Sequence, residues 1–255
     1  MRGEMKRANM HMASVIVLAL GFANLASAQN ELTISAPNGD ARPISTILAQ
    51  LRKAQGLSIT YEDPRYRFAG DLQDVTEQVR RVDDTEASSR AERIVVPKGK
   101  PFTFVYSAKD VSTGSGSLKT IRRMLSEYAR IGGPVFAATD DGKRLHVVPQ
   151  QAADEAGKLV SQTSVLDTSI SIAPGTRNGL DLLSEICAAV SVSSRVRVEV
   201  GTVPGNLLAQ YSSAKGFDNK PARQVLGELL DGLHSSHTLV WDLYNDLDGY
   251  ALNIK

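Results

Sequence analysis

The chain has 255 residues, with 29 lysines and arginines against 28 aspartates and glutamates, and 42% of its residues are hydrophobic. This composition is typical of a globular protein and not of a disordered one. A formal net charge of +1 provides no strong field for nucleic acid or an anionic membrane, and a single cysteine excludes an internal disulfide.

Residues 1–28 have the pattern of a secretory signal peptide. Three basic residues lie within the first seven positions, an apolar stretch covers Ala13–Leu25, and small residues follow at Ala26–Ala28. The apolar stretch is too short for a membrane-spanning helix, which needs about 20 residues. We therefore predict cleavage near Ala28, a periplasmic or secreted protein that begins near Gln29, and no transmembrane span after cleavage.

The mature chain is predicted to form two α+β domains, at 29–149 and 164–255, joined by the polar linker Gln150–Thr163. Its length exceeds that of one typical domain and fits two. Each half repeats the order helix, strand, irregular middle, helix and hairpin. This order favours two small sandwich-like domains, each with about two helices packed on a small mixed or antiparallel sheet.

The first half begins with an amphipathic helix. Pro43 suits the helix start and Gly56 its end. Between them, apolar residues recur at the spacing of one helical face: Ile44, Ile47, Leu48 and Leu51. Alternating residues at 57, 59 and 61 then predict a strand. The later predicted elements are a charged loop or exposed helix at Arg80–Arg93, strands at Ile94–Val96 and Phe102–Tyr106, a helix over Leu118–Tyr128, and a hairpin of Val135–Ala138 and Leu145–Val148.

The second half repeats these signals. A helical face is predicted at Leu183, Ile186, Cys187 and Val190, and a strand follows over Val196–Val200. Pro221 opens a second helix, whose apolar stripe is Ala222, Val225, Leu226, Leu229 and Leu233. Thr238–Leu243 and Gly249–Ile254 are predicted to form the closing hairpin.

The segment Pro43–Tyr61, a leucine-rich helix followed by a glycine and by a strand that ends in tyrosine, resembles the opening of the short N-terminal domain of secretins and TonB-dependent receptors. Asn219–Leu233 and the strand after it are more loosely similar to the second helix and closing sheet of that domain. Each half here is longer than the family's domain. The resemblance implies a periplasmic docking fold, and it carries over no catalytic residue.

The glycine-rich segment Gly114–Thr120 has some features of a phosphate-binding loop. That loop needs a glycine directly before its lysine, and Leu118 stands there instead. We predict a flexible stretch at Thr113–Ser117, with Ser117 as the cap of the helix that follows.

Two other groups of polar residues have the composition of metal sites. His234 and His237 could share a metal only if a third or fourth ligand were within reach, and they are predicted to form a polar link between helix and strand. Asp242, Asp246 and Asp248 lack the first and twelfth ligands of a calcium loop, so a hairpin tip is predicted there.

Two further residues receive structural interpretations. Cys187 lies in an apolar helical pattern, which predicts a small buried hydrophobe and not a nucleophile. Trp241 is predicted to lie in the core. The sequence contains neither a Gly-x-Ser-x-Gly elbow nor a His-Glu-x-x-His segment.

These patterns predict an exported, non-enzymatic module that acts through protein contacts in the cell envelope, with envelope proteins as partners. No catalytic, cofactor-binding or metal-binding residue is assigned, and no nucleic-acid partner is expected. A secreted hydrolase or glycan-binding protein, with a site built from residues distant in sequence, is the alternative. A cleft with converging carboxylates or histidines would favour the enzyme, whereas exposed sheet edges and an apolar patch would favour docking.

Overall fold

A computed structural model describes residues 31–79, 93–111, 114–233, 235–246 and 248–255. The signal-peptide prediction and nearly all of the charged stretch Arg80–Arg93 lie outside the described residues. The helices are α1 (Pro43–Gln55), α2 (Thr76–Val79), α3 (Ala108–Val111), α4 (Gly114–Arg130), α5 (Gly179–Ser194), α6 (Gly205–Gln210) and α7 (Ala222–Gly232). Two 3-10 turns cover Ala69–Asp71 and Val165–Asp167. Within these ranges, none of the helices is long and apolar enough to cross a membrane.

The strands of the first half and of the segment that follows it are β1 (Glu31–Ala36), β2 (Ile59–Glu62), β3 (Leu72–Asp74), β4 (Val95–Pro97), β5 (Phe102–Ser107), β6 (Phe136–Asp140), β7 (Leu145–Pro149), β8 (Gln151–Ala153) and β9 (Leu159–Ser161). Those of the second half are β10 (Ser169–Ile172), β11 (Arg177–Asn178), β12 (Arg197–Val200), β13 (Ser212–Ser213), β14 (Phe217–Pro221), β15 (Trp241–Asp246) and β16 (Gly249–Ile254). The predicted α+β class is confirmed.

Six of these strands form one mixed sheet in the order β12-β16-β15-β2-β7-β6. In the first half, β2 pairs in parallel with β7, and β7 pairs antiparallel with β6. In the second half, β12 pairs in parallel with β16, and β16 pairs antiparallel with β15. Each half also pairs an early strand antiparallel with a strand that precedes its second long helix, as β1 with β5 and β10 with β14. The repeated order predicted from the sequence is therefore present in the strand pairing itself.

The two halves meet where β15 pairs in parallel with β2. In the first half, β6 runs opposite to β2, whereas its counterpart β15 runs in the same direction as β2. The strands of one half therefore run opposite to their counterparts in the other half. A half-turn about an axis across the strands relates the two triplets, and such a rotation also exchanges the faces of the sheet. The helices of the two halves accordingly cover opposite faces. Tyr61 and Glu62 are successive residues of β2, so their side chains point to opposite faces of the sheet. Arg52 of α1 bonds Asp242, which pairs with Tyr61, whereas Arg223 of α7 bonds Glu62.

Each half keeps its own hydrophobic core on its own face of the shared sheet. The first core contains the buried side chains of α1, α4, β5 and the inward positions of β2 and β7. The second contains those of α5, α7, β12 and β16, together with Trp241 and Leu243 of β15. The division into two domains stays a prediction, to which the structure adds that the halves share one sheet.

The helix and strand at Pro43–Tyr61 form as predicted, with two additions. Gly56 has a φ of 65° and its N–H donates to the carbonyl of Arg52, so it ends α1 in the left-handed conformation that favours glycine. All four residues of β2 are buried. Thr60 and Glu62, on the polar side of the alternation, are covered because the second half lies over that face.

One local prediction is wrong, and the predicted linker contains a hairpin. Residues 114–117 are helical and belong to α4, and the Ser117 hydroxyl donates to the carbonyl of Val111 at 2.6 Å, so Ser117 does not cap the helix. The segment Gln150–Thr163 has no clear strand pattern, yet it forms the antiparallel hairpin of β8 and β9. Backbone pairing to its neighbours gives it this order, as the N–H of Gln150 donates to the carbonyl of Val135.

Candidate functional site

A cavity of about 330 Å³ lies on the first half, beyond the carboxyl end of β2. Four segments surround it: the loop after β2, the loop at 98–100, the end of α4 with the residues that follow, and the β8–β9 hairpin. We call it the first-half cavity. Its volume is at the small end of the range for ligand sites, and the carboxyl end of a strand is a common position for them.

Aromatic side chains form the floor and walls of the first-half cavity: Tyr61, Tyr66, Phe68, Tyr128 and Phe136. The rings of Tyr61 and Phe136 lie 5.8 Å apart. Burial raises the pKa of Tyr61 and of Tyr66 well above the ordinary tyrosine value, and it raises the pKa of Tyr128. These phenols therefore stay protonated at neutral pH and keep their hydrogen-bond donors.

Backbone geometry lets the chain pass close to the Tyr128 ring. Gly132 has a φ of 80°, which favours glycine. A Cβ on Gly133 would lie 2.3 Å from the ring of Tyr128, so only glycine allows this approach. Gly132 and Gly133 are thus structural requirements of this wall.

A buried ion pair fixes the inner edge of the cavity. The Nε of Arg42 donates to Asp63 at 2.6 Å, and its Nη2 donates to the carbonyl of Asn245 at 3.0 Å. Asp63 also accepts from the Tyr61 hydroxyl at 2.7 Å and from the N–H of Asn245 at 2.9 Å. Arg42 is therefore neutralised within the fold and is not free to bind a charged ligand.

Three other cations line the cavity, and two of them, Lys98 and Lys100, lie at its exposed mouth. The ammonium groups of Lys98 and Lys100 donate only to carbonyls, those of Gly70 at 3.1 Å and Ile131 at 2.9 Å. The guanidinium of Arg65 makes no hydrogen bond or ion pair with any described residue. All three line the cavity, and both lysines are exposed.

Asp71 is the carboxylate that faces these cations within the cavity lining. Burial raises the pKa of Asp71, although Lys98 and Lys100 act in the opposite direction. With Arg42 neutralised by Asp63, the lining holds three further cations and one carboxylate. The cavity therefore presents an excess of positive charge above aromatic walls.

A row of three side chains resembles a hydrolytic triad on the other face of the sheet. The Thr60 hydroxyl lies 2.9 Å from His146 Nδ1, and His146 Nε2 lies 3.0 Å from Asp141. Because a carboxylate only accepts, neutral His146 donates from Nε2 and accepts the Thr60 proton at Nδ1. Thr60 is fully buried beneath the second half, so no substrate reaches its hydroxyl.

In the described part of the chain, the polar side chains singled out in the sequence are not brought together. His234 lies outside the described residues, and His237 is exposed. The carboxylate of Asp242 is fully buried and bonds Arg52 and Lys255, so it belongs to the contact between the halves and not to a calcium loop. Among the described residues, no group of histidine, cysteine, aspartate and glutamate side chains is arranged to hold a metal ion.

The structural interpretations of Cys187 and Trp241 are confirmed. Both side chains are buried in the second core. Burial raises the pKa of the Cys187 thiol to about 12, which removes the thiolate that a nucleophile needs.

Side chains from the helices cap four outer sheet edges. Ser191 of α5 bonds both the N–H and the carbonyl of Val198 in β12, and Arg122 of α4 donates twice to Ala138 in β6. On the smaller sheet, Gln50 of α1 bonds both backbone groups of Ser35 in β1, and Arg123 donates to the carbonyl of Val105 in β5. Backbone groups bonded in this way are not available to an added strand.

Comparison with known proteins adds no relative. No family model matches this chain, and searches of curated proteins and of solved structures found no significant match. The resemblance of Pro43–Tyr61 to the secretin domain therefore stays a prediction.

Sequence reasoning did not find the first-half cavity. Its unpaired cations lie in two separate loops, and none of them belongs to a recognisable motif. Lys98 and Lys100, two nearby exposed lysines, form one local signal. The aromatic residues after β2 are a second signal, because Tyr66 and Phe68 follow the strand directly.

Proposed function

We propose that this protein is an exported, non-enzymatic module that binds a partner protein in the cell envelope, with the first-half cavity as its contact site. The leader pattern of residues 1–28 supports export, and the resemblance at Pro43–Tyr61 supports a docking fold. The observation that carries the proposal is the lining of the cavity. Aromatic walls beneath exposed cations provide affinity and orientation for a bound group.

The same lining disfavours catalysis at this site. Acid–base or nucleophilic chemistry needs a nucleophile and a base within hydrogen-bond distance of each other and open to substrate. At the cavity, the charged groups other than the paired Arg42 are three cations and Asp71, on which two lysines act electrostatically. The row of Thr60, His146 and Asp141 has suitable spacing but lacks access, so a hydrolase stays the alternative.

The partner is expected to enter the cavity with side chains and not to add a strand beside β1, β5, β6 or β12. Strand addition requires a free edge. The outer strands β1, β5, β6 and β12 each have backbone groups bonded by a helix side chain. The apolar side chains of Ile131, Leu159 and Val160 are exposed near the cavity and offer additional contact area.

Site-specific photo-crosslinking tests this proposal. The full chain is produced with p-benzoylphenylalanine in place of Leu159, which lines the cavity and is 60% exposed. The matched control carries it in place of Val192, which is 80% exposed on α5. After irradiation with a membrane and periplasm fraction of the source cell, we expect one defined protein adduct from position 159 and none from position 192.

A charge-neutralised cavity completes the test. The adduct from position 159 should be lost with Lys98→Met and Lys100→Met, and it should persist with Lys53→Met, an exposed lysine on α1. Equal adducts from positions 159 and 192, or an adduct that is insensitive to the two lysines, would contradict the proposed site. Mass spectrometry of the mature protein should also find an N-terminus near Gln29, and an intact leader would contradict export.

A further inference from the structure

We propose that the group bound in the first-half cavity is an aromatic side chain beside an acidic one, presented by a segment of the partner protein. This inference rests on the proposed function and specifies its ligand. It follows from the depth at which the apolar and the charged groups of the cavity lie.

The deep part of the cavity is apolar. Ile44 and Tyr61 line its base and are almost completely buried, and the Phe136 ring packs against Tyr61. The polar atoms at this depth are already bonded, because the Tyr61 hydroxyl and the Arg42 guanidinium are both held by Asp63. A charged group placed at this depth would lose its hydration without gaining a free partner. An aromatic ring fits both the lining and the volume of about 330 Å³.

The mouth of the cavity is cationic. The ammonium groups of Lys98 and Lys100 lie there without a carboxylate partner of their own beyond Asp71, and Arg65 also lines the cavity. Hydrogen bonds from charged donors to a carboxylate are among the strongest that proteins form. An acidic group is therefore expected at the mouth while the ring occupies the base.

The surroundings of the mouth indicate a partner that is larger than a small molecule. Leu159 on the β8–β9 hairpin lines the cavity, and Val160 beside it lines a second cavity of about 350 Å³. Both side chains are exposed. Arg65 lines both cavities, and the exposed Arg67 lines the second cavity. A peptide segment can contact the hairpin and both cavities at once, whereas a free aromatic acid reaches only one.

Amide chemical shifts of Gly132 and Gly133 in the full mature chain provide the measurement, since both residues line the cavity. The probe is the capped peptide acetyl-Ala-Glu-Phe-Ala-amide. It is compared with the same peptide carrying Gln for Glu, with the peptide carrying Ala for Phe, and with 3-phenylpropanoate as the free aromatic acid. We expect the Glu-Phe peptide to shift both amide signals and each comparison probe to bind about tenfold more weakly or worse.

Two further measurements separate charge recognition from damage to the fold. In the variant with Lys98→Met and Lys100→Met, the Glu-Phe and Gln-Phe peptides should bind equally, while Lys53→Met should preserve the difference. On the unmodified protein, raising the salt from about 50 to 300 mM should weaken the Glu-Phe peptide and leave the Gln-Phe peptide unchanged.

The following results would each overturn the inference. Equal binding of the Glu-Phe and Gln-Phe peptides would exclude the acidic group, and unchanged binding of the Ala peptide would exclude the ring. Binding of 3-phenylpropanoate as tight as that of the Glu-Phe peptide would make the ligand a free aromatic acid. Unchanged Gly132 and Gly133 signals with every probe would refute the ligand class. In that case, a cavity-dependent adduct at position 159 would still uphold the proposed function, so the two failures are distinguishable.

Discussion

The guanidinium of Arg52, in the first helix of the first half, donates to both carboxylate oxygens of Asp242, in the penultimate strand of the second half, at 3.1 and 2.5 Å. The Asp242 side chain is fully buried, and Lys255 provides its second cation at 2.5 Å. Two segments 190 residues apart are thus joined by a desolvated ion pair across the junction of β2 and β15. Burial alone would raise the pKa of Asp242, but the bonds from Arg52 and Lys255 hold it below its ordinary value.

Removing this carboxylate should destabilise the protein strongly. Asp242→Ala leaves Arg52 without its partner in the junction, and breaking a buried pair by removing one member costs about 3–5 kcal/mol. Asp246→Ala on the same strand is the matched control, because that side chain is 70% exposed and lies 4.0 Å from Arg42. The control should change the free energy of unfolding by about 0.5 kcal/mol or less. Chemical denaturation measures both, and equal effects would show that the Arg52 contact does not stabilise the junction.

The segment 164–255 should not fold stably alone. Without the first half, β15 becomes a free sheet edge, Asp242 loses Arg52, and Arg223 loses Glu62. The lost strand pairing and the two lost ion pairs reduce a free energy of unfolding that is only about 5–15 kcal/mol for a typical domain. Circular dichroism and size-exclusion chromatography should find an unfolded or aggregated segment.

Co-production of the complementary pieces is the control for that experiment. Segments 29–163 and 164–255 made together should copurify, because the shared sheet can re-form between them. A cooperative melt of 164–255 alone, at the temperature of the full chain, would instead establish two independent domains.

The sequence predicted the four long helices and the six strands of the shared sheet because their signals are local, and it missed most of the shorter elements. The spacing of Ile44, Ile47, Leu48 and Leu51, together with the stop at Gly56, is sufficient for α1, and it does not depend on what covers the helix. The closing hairpin was placed correctly, although its first strand begins at Trp241 and not at Thr238.

The arrangement of the elements depends on contacts between distant residues and could not be predicted in the same way. The alternation at Ile59–Glu62 indicates one buried face, whereas both faces are buried because α7 approaches from the other half. The cavity has the same origin, since Lys98, Arg65 and Tyr128 come from three loops or helices that meet only in the folded chain. No spacing of residues along the sequence indicates that these segments form one cavity.

Leu229 and Glu228 test the orientation of α7. Leu229 is buried in the second core, so Leu229→Ala should cost about 2–5 kcal/mol through lost packing and a residual cavity. Glu228 points to the surface, where it pairs with Lys215 and Lys220. Exposed ion pairs contribute little, so Glu228→Ala should cost about 1 kcal/mol or less. Denaturation of both full-length variants measures the contrast, and a larger loss at Glu228 would contradict the helical register.

His146 should give the protein a specific sensitivity to acid. Burial lowers the pKa of His146 below its ordinary value; the bond to Asp141 opposes this shift, the nearby Arg223 adds to it, and Glu62 opposes it. Between the lowered folded pKa and the ordinary value of about 6.5, the unfolded chain binds a proton that the folded protein does not. The stability contributed by neutral His146 is therefore fully present above about pH 6.5 and is lost as the pH falls through the folded pKa.

The variant His146→Gln isolates this contribution. Its amide can still bond the Thr60 hydroxyl and Asp141 but does not titrate, so the loss of stability from about pH 7 to pH 5 should be smaller than in the unmodified protein. His237→Gln, at an exposed position, is the matched control and should retain the full loss. Free energies of unfolding from urea titrations at half-unit pH steps provide the comparison. Parallel pH profiles for His146→Gln and the unmodified protein would show that the buried row of Thr60, His146 and Asp141 does not cause the acid sensitivity.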